Sequence, residues 1–501
     1  MKGVLQHHQL RNILANAVGQ FSAIVFSILM VPLYFQLLGA EAYGLLGFAA
    51  LVQSWVLLLD AGASATLGRT MSRVAAGLAS ANEARALLRV ADRWMLLTGA
   101  ALLLICILLS GWISTHWLEG KSLSPQAISQ VFVLLVTLAV FRLTANMYRS
   151  AISAYGQQLL ANSVYAASNV LRLTAPIPLL LTSPDIRLLF LTWIVLSLLE
   201  MLILRFRIAW LLAAPAETSM GPVPSTQPAI KFAAMLAITS TVWVLATQID
   251  KALLSARLPL EAFGYFSVCL TLSNAVSQLA TPITAAYQPS FNALGNQHSV
   301  GQFYSQYSRA TQIVMIIVAP VSFALFFFPS TSVTVWTGAP AAATYAIDVL
   351  PCFVLGSMLS CIAALAYSMQ VGFGSVSLHM RSNLIAGALF VPLAATSAIE
   401  IGPAGSSAFW LAFNAVFSLL WLPRVIEKFF PGRAEDHFAF DIAPSLIGAL
   451  IGALLSRIFF GDKTDDRLTG LCILMFSWTV AMVGAVGFSI LMSRWRPPVS
   501  P

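Results

Sequence analysis

The feature that most constrains this chain is a succession of apolar runs, each about twenty residues long, filling nearly its whole length. A helix needs about 20 predominantly apolar residues to cross the hydrocarbon core of a bilayer. Runs of that kind cover 12–35, 43–65, 94–113, 128–148, 158–182, 188–208, 231–254, 262–283, 309–329, 346–368, 383–399, 405–423, 442–460 and 470–492. They predict an all-α polytopic membrane protein of about fourteen transmembrane helices. Composition excludes the soluble alternative. Charged residues make up 9% of the 501 and hydrophobic residues 58%, whereas a soluble globular protein carries about 25% charge.

Lysine and arginine collect in cytoplasmic loops. With the N-terminus inside, nineteen of the 27 basic residues fall on the inner side and seven on the outer. Both termini are therefore expected in the cytoplasm. The net charge of +8 reads as this bias, with no nucleic acid implied. The first run is long enough to span, and Ala15-Asn16-Ala17 stands at its start rather than its end, so it is not a cleaved signal. Cys106, Cys269, Cys352, Cys361 and Cys472 lie in or beside apolar runs without metal-ligand spacing, and are expected to be buried and unpaired. The five arginines of 69–93 predict a short amphipathic cytoplasmic helix. The Pro-rich stretch 213–228 has linker composition.

The halves on either side of that linker resemble each other. Glu41-Ala42-Tyr43-Gly44 matches Glu261-Ala262-Phe263-Gly264 at an offset of 220, and Arg11 matches Lys231 at the same offset. Tyr155-Gly156 matches Phe373-Gly374 at 218. Six spans per half is an even number, so both halves enter the membrane with one polarity. Parallel repeats of this kind are related by a pseudo-twofold along the membrane normal and carry a substrate path at their interface. The expected domains are an N-terminal lobe over 1–210, a cytoplasmic linker over 211–230, a C-terminal lobe over 231–430, and two additional helices with a tail over 431–501.

Ionisable side chains at membrane depth are expensive, normally face a bundle interior, and mark function. Arg172 lies deep in the fifth run. Arg142 and Arg149 are seven residues apart and share a helix face. With Tyr148, Asn146 and Gln157 they predict a cationic cavity in the first half. Gln53 and Asp60 share a face of the second run. Gln248, Asp250 and Lys251 sit near the end of the seventh, the last two pointing about 100° apart and so not expected to pair. Glu200 and Asp348 are expected in structural or interfacial roles. No phosphate-cradling loop, metal cluster or nucleophile elbow is present, so no cofactor, metal or catalytic residue is expected.

Several of these segments resemble the polysaccharide or O-antigen flippases (Wzx-type) of the multidrug/oligosaccharidyl-lipid/polysaccharide exporter superfamily. They are Asn12-x-x-x-Asn16-x-x-Gly19, Pro32 with Leu38-Gly39-x-x-x-Tyr43-Gly44, Leu59-Asp60-x-Gly62, Arg69, Gln248-Ile249-Asp250-Lys251, Leu260–Tyr265 and Pro282 through Pro289-x-Phe291. The resemblance implies twelve core helices in two lobes and a polyprenyl-diphosphate-linked glycan as substrate. It also implies possible use of the polysaccharide polymerase machinery as partner, and H+ or Na+ coupling with Asp60 or Asp250 as candidates. Arg142, Arg172 and Lys251 would meet the diphosphate, since arginine presents a planar fork to phosphate; Arg149, at the interface, is a further substrate-path candidate, and Gln53, Tyr148 and Gln248 would meet sugar hydroxyls. A multidrug cation antiporter, a membrane glycosyltransferase or polymerase, and a membrane scaffold stay open as alternatives.

Overall fold

In a bilayer every backbone N–H and C=O must be satisfied within the protein, which leaves helices or closed barrels. The structure, a computed structural model, describes residues 2–60, 62–213, 227–297, 300–375, 377–462 and 466–495. Side chains are described from residue 28 on, apart from 227–240, 296–297, 377, 379–380 and 386. The side chains of Arg11 and Lys231 and most of the 213–228 linker fall outside this set. The described residues form helices with no strand among them.

The first half consists of α1 (Lys2–Val56), which is two helices meeting at a kink at Gly39 (φ 82°), then α2 (Ala63–Ala75), α3 (Ala81–His116), α4 (Pro125–Ala154), α5 (Gln158–Thr174), α6 (Ile177–Thr182) and α7 (Ile186–Leu211). The second consists of α8 (Gln227–Arg257), α9 (Leu260–Leu279), α10 (Thr281–Gln297), α11 (Val300–Phe327), α12 (Pro329–Thr337), α13 (Pro340–Gly372), α14 (Ser377–Glu400), α15 (Pro403–Val416) and α16 (Leu422–Phe429). One turn, α17 (Ala434–Asp436), leads to α18 (Ala443–Phe460) and α19 (Arg467–Ser493). Among the described residues eleven helical segments are long and apolar enough to cross a membrane. The run 12–35 falls largely, and 231–254 in part, on residues whose side chains are not described, and 262–283 is broken between α9 and α10. On α3, Leu96, Leu97, Leu104 and Leu108 are 71%, 68%, 59% and 74% exposed. Such a face is stable only against acyl chains.

The expected helix over 69–93 is corrected in position. The amphipathic element is α2, which begins at Ala63, and α3 already starts at Ala81, where the Ser80 side chain accepts the Glu83 N–H at 3.2 Å. A serine at that position satisfies an otherwise orphaned first-turn donor, so Arg85, Arg89 and Arg93 ride on the entry of a spanning helix. The cysteines also divide. Cys106, Cys269 and Cys361 are buried, Cys352 is half-buried and Cys472 is exposed, all unpaired.

The internal repeat is present in the element order. A shift of 220 residues lays α2 on α10, α3 on α11 with α12, α4 on α13, α5 with α6 on α14, and α7 on α15 with α16. The matched glycines Gly156 and Gly374 both have positive φ, 97° and 66°, ending their helices in a conformation only glycine adopts freely. A β-carbon on Gly44 would stand 2.3 Å from the Leu260 carbonyl oxygen, and one on Gly264 would stand 2.1 Å from the Ala40 carbonyl oxygen. Residue 44 meets 260 and residue 264 meets 40. Reciprocal contacts of this kind belong to segments related by a twofold axis. Nearby, Glu41 is held by the backbone N–H groups of Lys121 at 2.7 Å, Ser122 at 3.0 Å and Leu123 at 3.0 Å, while the Glu119 carbonyl accepts the Leu260 N–H at 2.9 Å.

By packing, the chain forms two compact units, Met1–Met30 with Leu37–Gly264, and Val31–Gln36 with Tyr265–Pro501. The first is centred on α2, α3, α4 and α7, with Leu67, Met71, Leu88, Met95, Met147 and Ile208 in its core. The second is rich in aromatic rings, with Phe303 stacked on Phe373 at 4.2 Å and on Phe291 at 5.2 Å. In that unit α18 and α19 cross through small residues. A β-carbon on Gly448 would lie 2.1 Å from the Gly484 carbonyl oxygen, and Gly452 abuts Ala481. Close backbone approach through glycine and alanine is how helices associate in lipid, where there is no hydrophobic drive between them.

The glycine crossing is testable. Gly264→Ala should destabilise by about 1–3 kcal/mol, because the clash is with backbone that cannot rotate away. Gly111→Ala, on a helix face with nothing within 4 Å, should be neutral or slightly stabilising. Thermal unfolding in detergent distinguishes the two.

Candidate functional site

The polar side chains of the first unit gather where α4 faces α5. On α4, Arg142, Asn146 and Arg149 follow at i, i+4 and i+7; on α5, Tyr165, Asn169 and Arg172 repeat that spacing. Each set therefore lies along one helix face. Arg142 donates to the Gln53 side-chain oxygen of α1 at 2.6 Å. Arg149 donates to Asn146 and lies over the Tyr165 ring, 3.9 Å from its centroid. Arg172 is 5% exposed. It bonds Asn169 at 2.6 Å, and from α7 Ser197 at 3.0 Å and the Glu200 carboxylate at 2.8 Å. Arg172, Tyr165, Glu200 and Arg149 all stand close enough to Arg142 to act on its charge.

The charge balance of this cluster is uneven. Three guanidiniums meet one carboxylate, and that carboxylate is bonded to Arg172. Arg142 and Arg149 make no ion pair among the described residues. Each guanidinium carries five N–H donors, and Arg142 uses one of them on a neutral amide. In a low-dielectric surrounding the mutual repulsion is weakly screened, so the cluster is electrostatically suited to an anion. Planar guanidinium forks match phosphate oxygens two at a time.

Several candidates stand elsewhere. Tyr148 is one residue, about 100°, around α4 from Arg149, and it points away from the cluster. Its hydroxyl donates to Asp92 at 2.7 Å, and Asp92 is paired with Arg205 at 2.8 Å, tying α3, α4 and α7 together. Gln157 accepts from Arg207 at 2.9 Å at the same end of the unit. Asp60 accepts the Ser64 hydroxyl at 2.5 Å and the Ser64 N–H at 3.2 Å, and so caps the start of α2. The expectation that Asp250 and Lys251 stay apart is corrected. The Lys251 ammonium lies 3.2 Å from the Asp250 carboxylate and donates to the Thr247 carbonyl at 2.7 Å. The long lysine stem folds back around the helix, which a count of 100° per residue does not anticipate. Among the described residues Gln248 makes a long contact, 3.5 Å, with Thr247. Asp348 is exposed.

Tyr165, Asn169 and Ser197 were not singled out from the sequence, although the matched i, i+4, i+7 pattern of α4 and α5 was visible there. Glu200 was assigned a structural role, and it holds one: it is the buried partner of Arg172. The described residues hold no group of three or more histidine, cysteine, aspartate or glutamate side chains able to bind a metal.

Helices, repeat and buried charges define a multi-pass membrane protein. Its fold is that of the flippase and multidrug transporter structures. The structure of the lipid II flippase MurJ in an inward closed conformation matches with a TM-score of 0.68 and 13% identity, covering 97% of this chain and 99% of that one. An inward-facing multidrug resistance MATE family transporter of the MOP superfamily matches at 0.62 and 13%, covering 82% and 98%. The Vibrio cholerae MATE transporter VcmN matches at 0.52 and 14%, covering 85% and 98%. None of the curated proteins matches. The polysaccharide biosynthesis protein family matches residues 9–294, more than half of the chain, and the chain belongs to that family.

The site makes a distinction between its arginines. Arg172→Ala leaves Glu200 as an uncompensated buried charge and should cost about 3–5 kcal/mol. Removing both Arg172 and Glu200 should cost less than the Arg172 change alone. Arg142→Gln strands no carboxylate and should leave thermal stability nearly unchanged. Melting curves of the four purified forms check the pattern.

Proposed function

We propose that this protein is a flippase that moves polyprenyl-diphosphate-linked oligosaccharide units from the cytoplasmic to the outer leaflet of a bacterial inner membrane, for surface polysaccharide biosynthesis. The observation that carries the reading is the cluster of Arg142, Arg149 and Arg172 with a single carboxylate on facing helix faces. An anionic head group relieves its excess positive charge, while the polyprenyl tail stays in the bilayer. Membership of a polysaccharide biosynthesis family and a fold shared with a lipid II flippase support the same reading.

In this proposal Arg142 and Arg149 meet the diphosphate, with Gln53 and Asn146 beside them for further polar contacts. Arg172 positions the site through Glu200 and Ser197. Both termini are cytoplasmic, and lobes 1–210 and 231–430 alternate access, with 211–230 as linker and 431–501 as an addition. Coupling to H+ or Na+ and hand-over to polymerase machinery complete the scheme. An organic-cation antiporter, the other transport reading, would place its cargo against three guanidiniums, which the charge disfavours.

Deletion of the gene should abolish surface polysaccharide and leave lipid-linked repeat units facing the cytoplasm. Complementation with Arg142→Gln should restore less than about a tenth of the wild-type polysaccharide, since a charge-assisted phosphate contact is worth about 1.5–3 kcal/mol, with unchanged protein level in the membrane. Normal surface glycan with altered drug tolerance in the deletion strain would overturn the proposal.

A further inference from the structure

A second buried ionic group lies in the other unit, on a part of the chain that the function above leaves without a task. The turn His437–Ile442, between α17 and α18, is π-helical, a conformation that often accompanies functional positions within helices. His437 and Asp441 are 0% and 1% exposed. The His437 Nδ1 lies 2.8 Å from one Asp441 oxygen. The other Asp441 oxygen accepts the Ser308 hydroxyl at 2.7 Å and the Gln312 amide at 2.8 Å, both from α11. An ionised Asp441 accepts from Ser308 and Gln312 on one oxygen and faces Nδ1 with the other, an arrangement that favours the hydrogen on Nδ1. His437 Nε2 is buried and meets no partner among the described residues. The ring is stacked on Tyr307 at 4.9 Å.

Each protonation state of the ring carries a cost. With Nε2 bare, the pair is a net negative charge within a membrane-spanning helix, which is costly. With Nε2 protonated, the pair is a neutral-sum ion pair, but a charged N–H lacks an acceptor. Histidine is the side chain whose charge changes in the physiological range. The other titratable groups facing it are Tyr304 and Tyr307 from α11, and Arg433, which stands over Tyr304 and pairs with Asp436 at 3.1 Å. The charged ends of α19, Arg467 and Arg494, are exposed. Gly432 and Glu435, five and two residues before the histidine, are exposed.

We infer that His437 and Asp441 form a proton-binding site that links the C-terminal helix pair, through Ser308 and Gln312, to α11. Its use in coupling rests on the flippase reading; the site itself does not. Uptake places one proton on His437 Nε2 and changes the buried charge from minus one to zero.

The full chain in detergent, labelled with 15N-histidine, gives a direct measurement. Six histidines are present, and His437→Gln assigns the signal. The His437 15N shifts should report exchange between its two protonation states as the pH is varied. Asp441→Asn, which removes the carboxylate favouring the charged ring, should lower the midpoint by at least about one unit, a tenfold loss of proton affinity. If Asp441→Asn does not fold, Gln312→Ala serves, with a smaller movement in the opposite direction, because the carboxylate loses a competing donor. A His437 signal that stays in one form across the range, or a midpoint unmoved by both variants, overturns the inference. A titrating His437 in a strain whose surface glycan does not need this protein would sink the flippase reading alone.

Discussion

The bilayer removes water as a hydrogen-bonding partner, and the rest of the structure follows from that. Backbone groups are satisfied within helices. Polar side chains have no such internal ladder and must find each other across helices. The Arg172–Glu200 pair is the clearest case: a guanidinium and a carboxylate, both nearly inaccessible, bonded at 2.8 Å with Ser197 and Asn169 filling further positions. The pair fixes α5 against α7, and α5 in turn presents Tyr165 and Asn169 toward α4. Arg142 and Arg149 are then held beside a charge already neutralised, and they carry the excess.

The same constraint is met differently where helices carry no charge. Gly44 and Gly264 bring backbones within contact through reciprocal approach, and Gly448 with Gly484 does so in the C-terminal hairpin. Small residues let dispersion forces act between backbones where there is no water to expel. Packing of this kind tolerates no β-carbon. Glu41 solves a third version of the problem: its carboxylate satisfies three consecutive backbone N–H groups in the turn before α4.

The two units thus spend their buried polar groups in different ways. The first concentrates arginines on facing helices. The second is packed with aromatic rings and holds one histidine–aspartate pair at the entrance of α18. A duplicated order of helices carries both, with breaks placed differently in the two halves.

How much was legible follows from the range of each interaction. Hydrophobic runs, the 220-residue repeat and the shared face of Arg142 and Arg149 depend on neighbours a few residues apart or on repetition, and the sequence by itself determined them, because the solvent and the helical period act locally. Matching spacing on α4 and α5 was present there too, though it pointed nowhere until the helices were paired. Only the tertiary structure decided that Arg172 meets Glu200, twenty-eight residues on, that Tyr148 turns to Asp92, and that Asp60 caps α2. It also decided that His437 and Asp441, an ordinary i, i+4 pair at the edge of an apolar run, meet Ser308 and Gln312. Apart from the local Asp60 contact to Ser64, each of these rests on which helix packs beside which. That choice is made by the shape and polarity of whole faces rather than by any one residue.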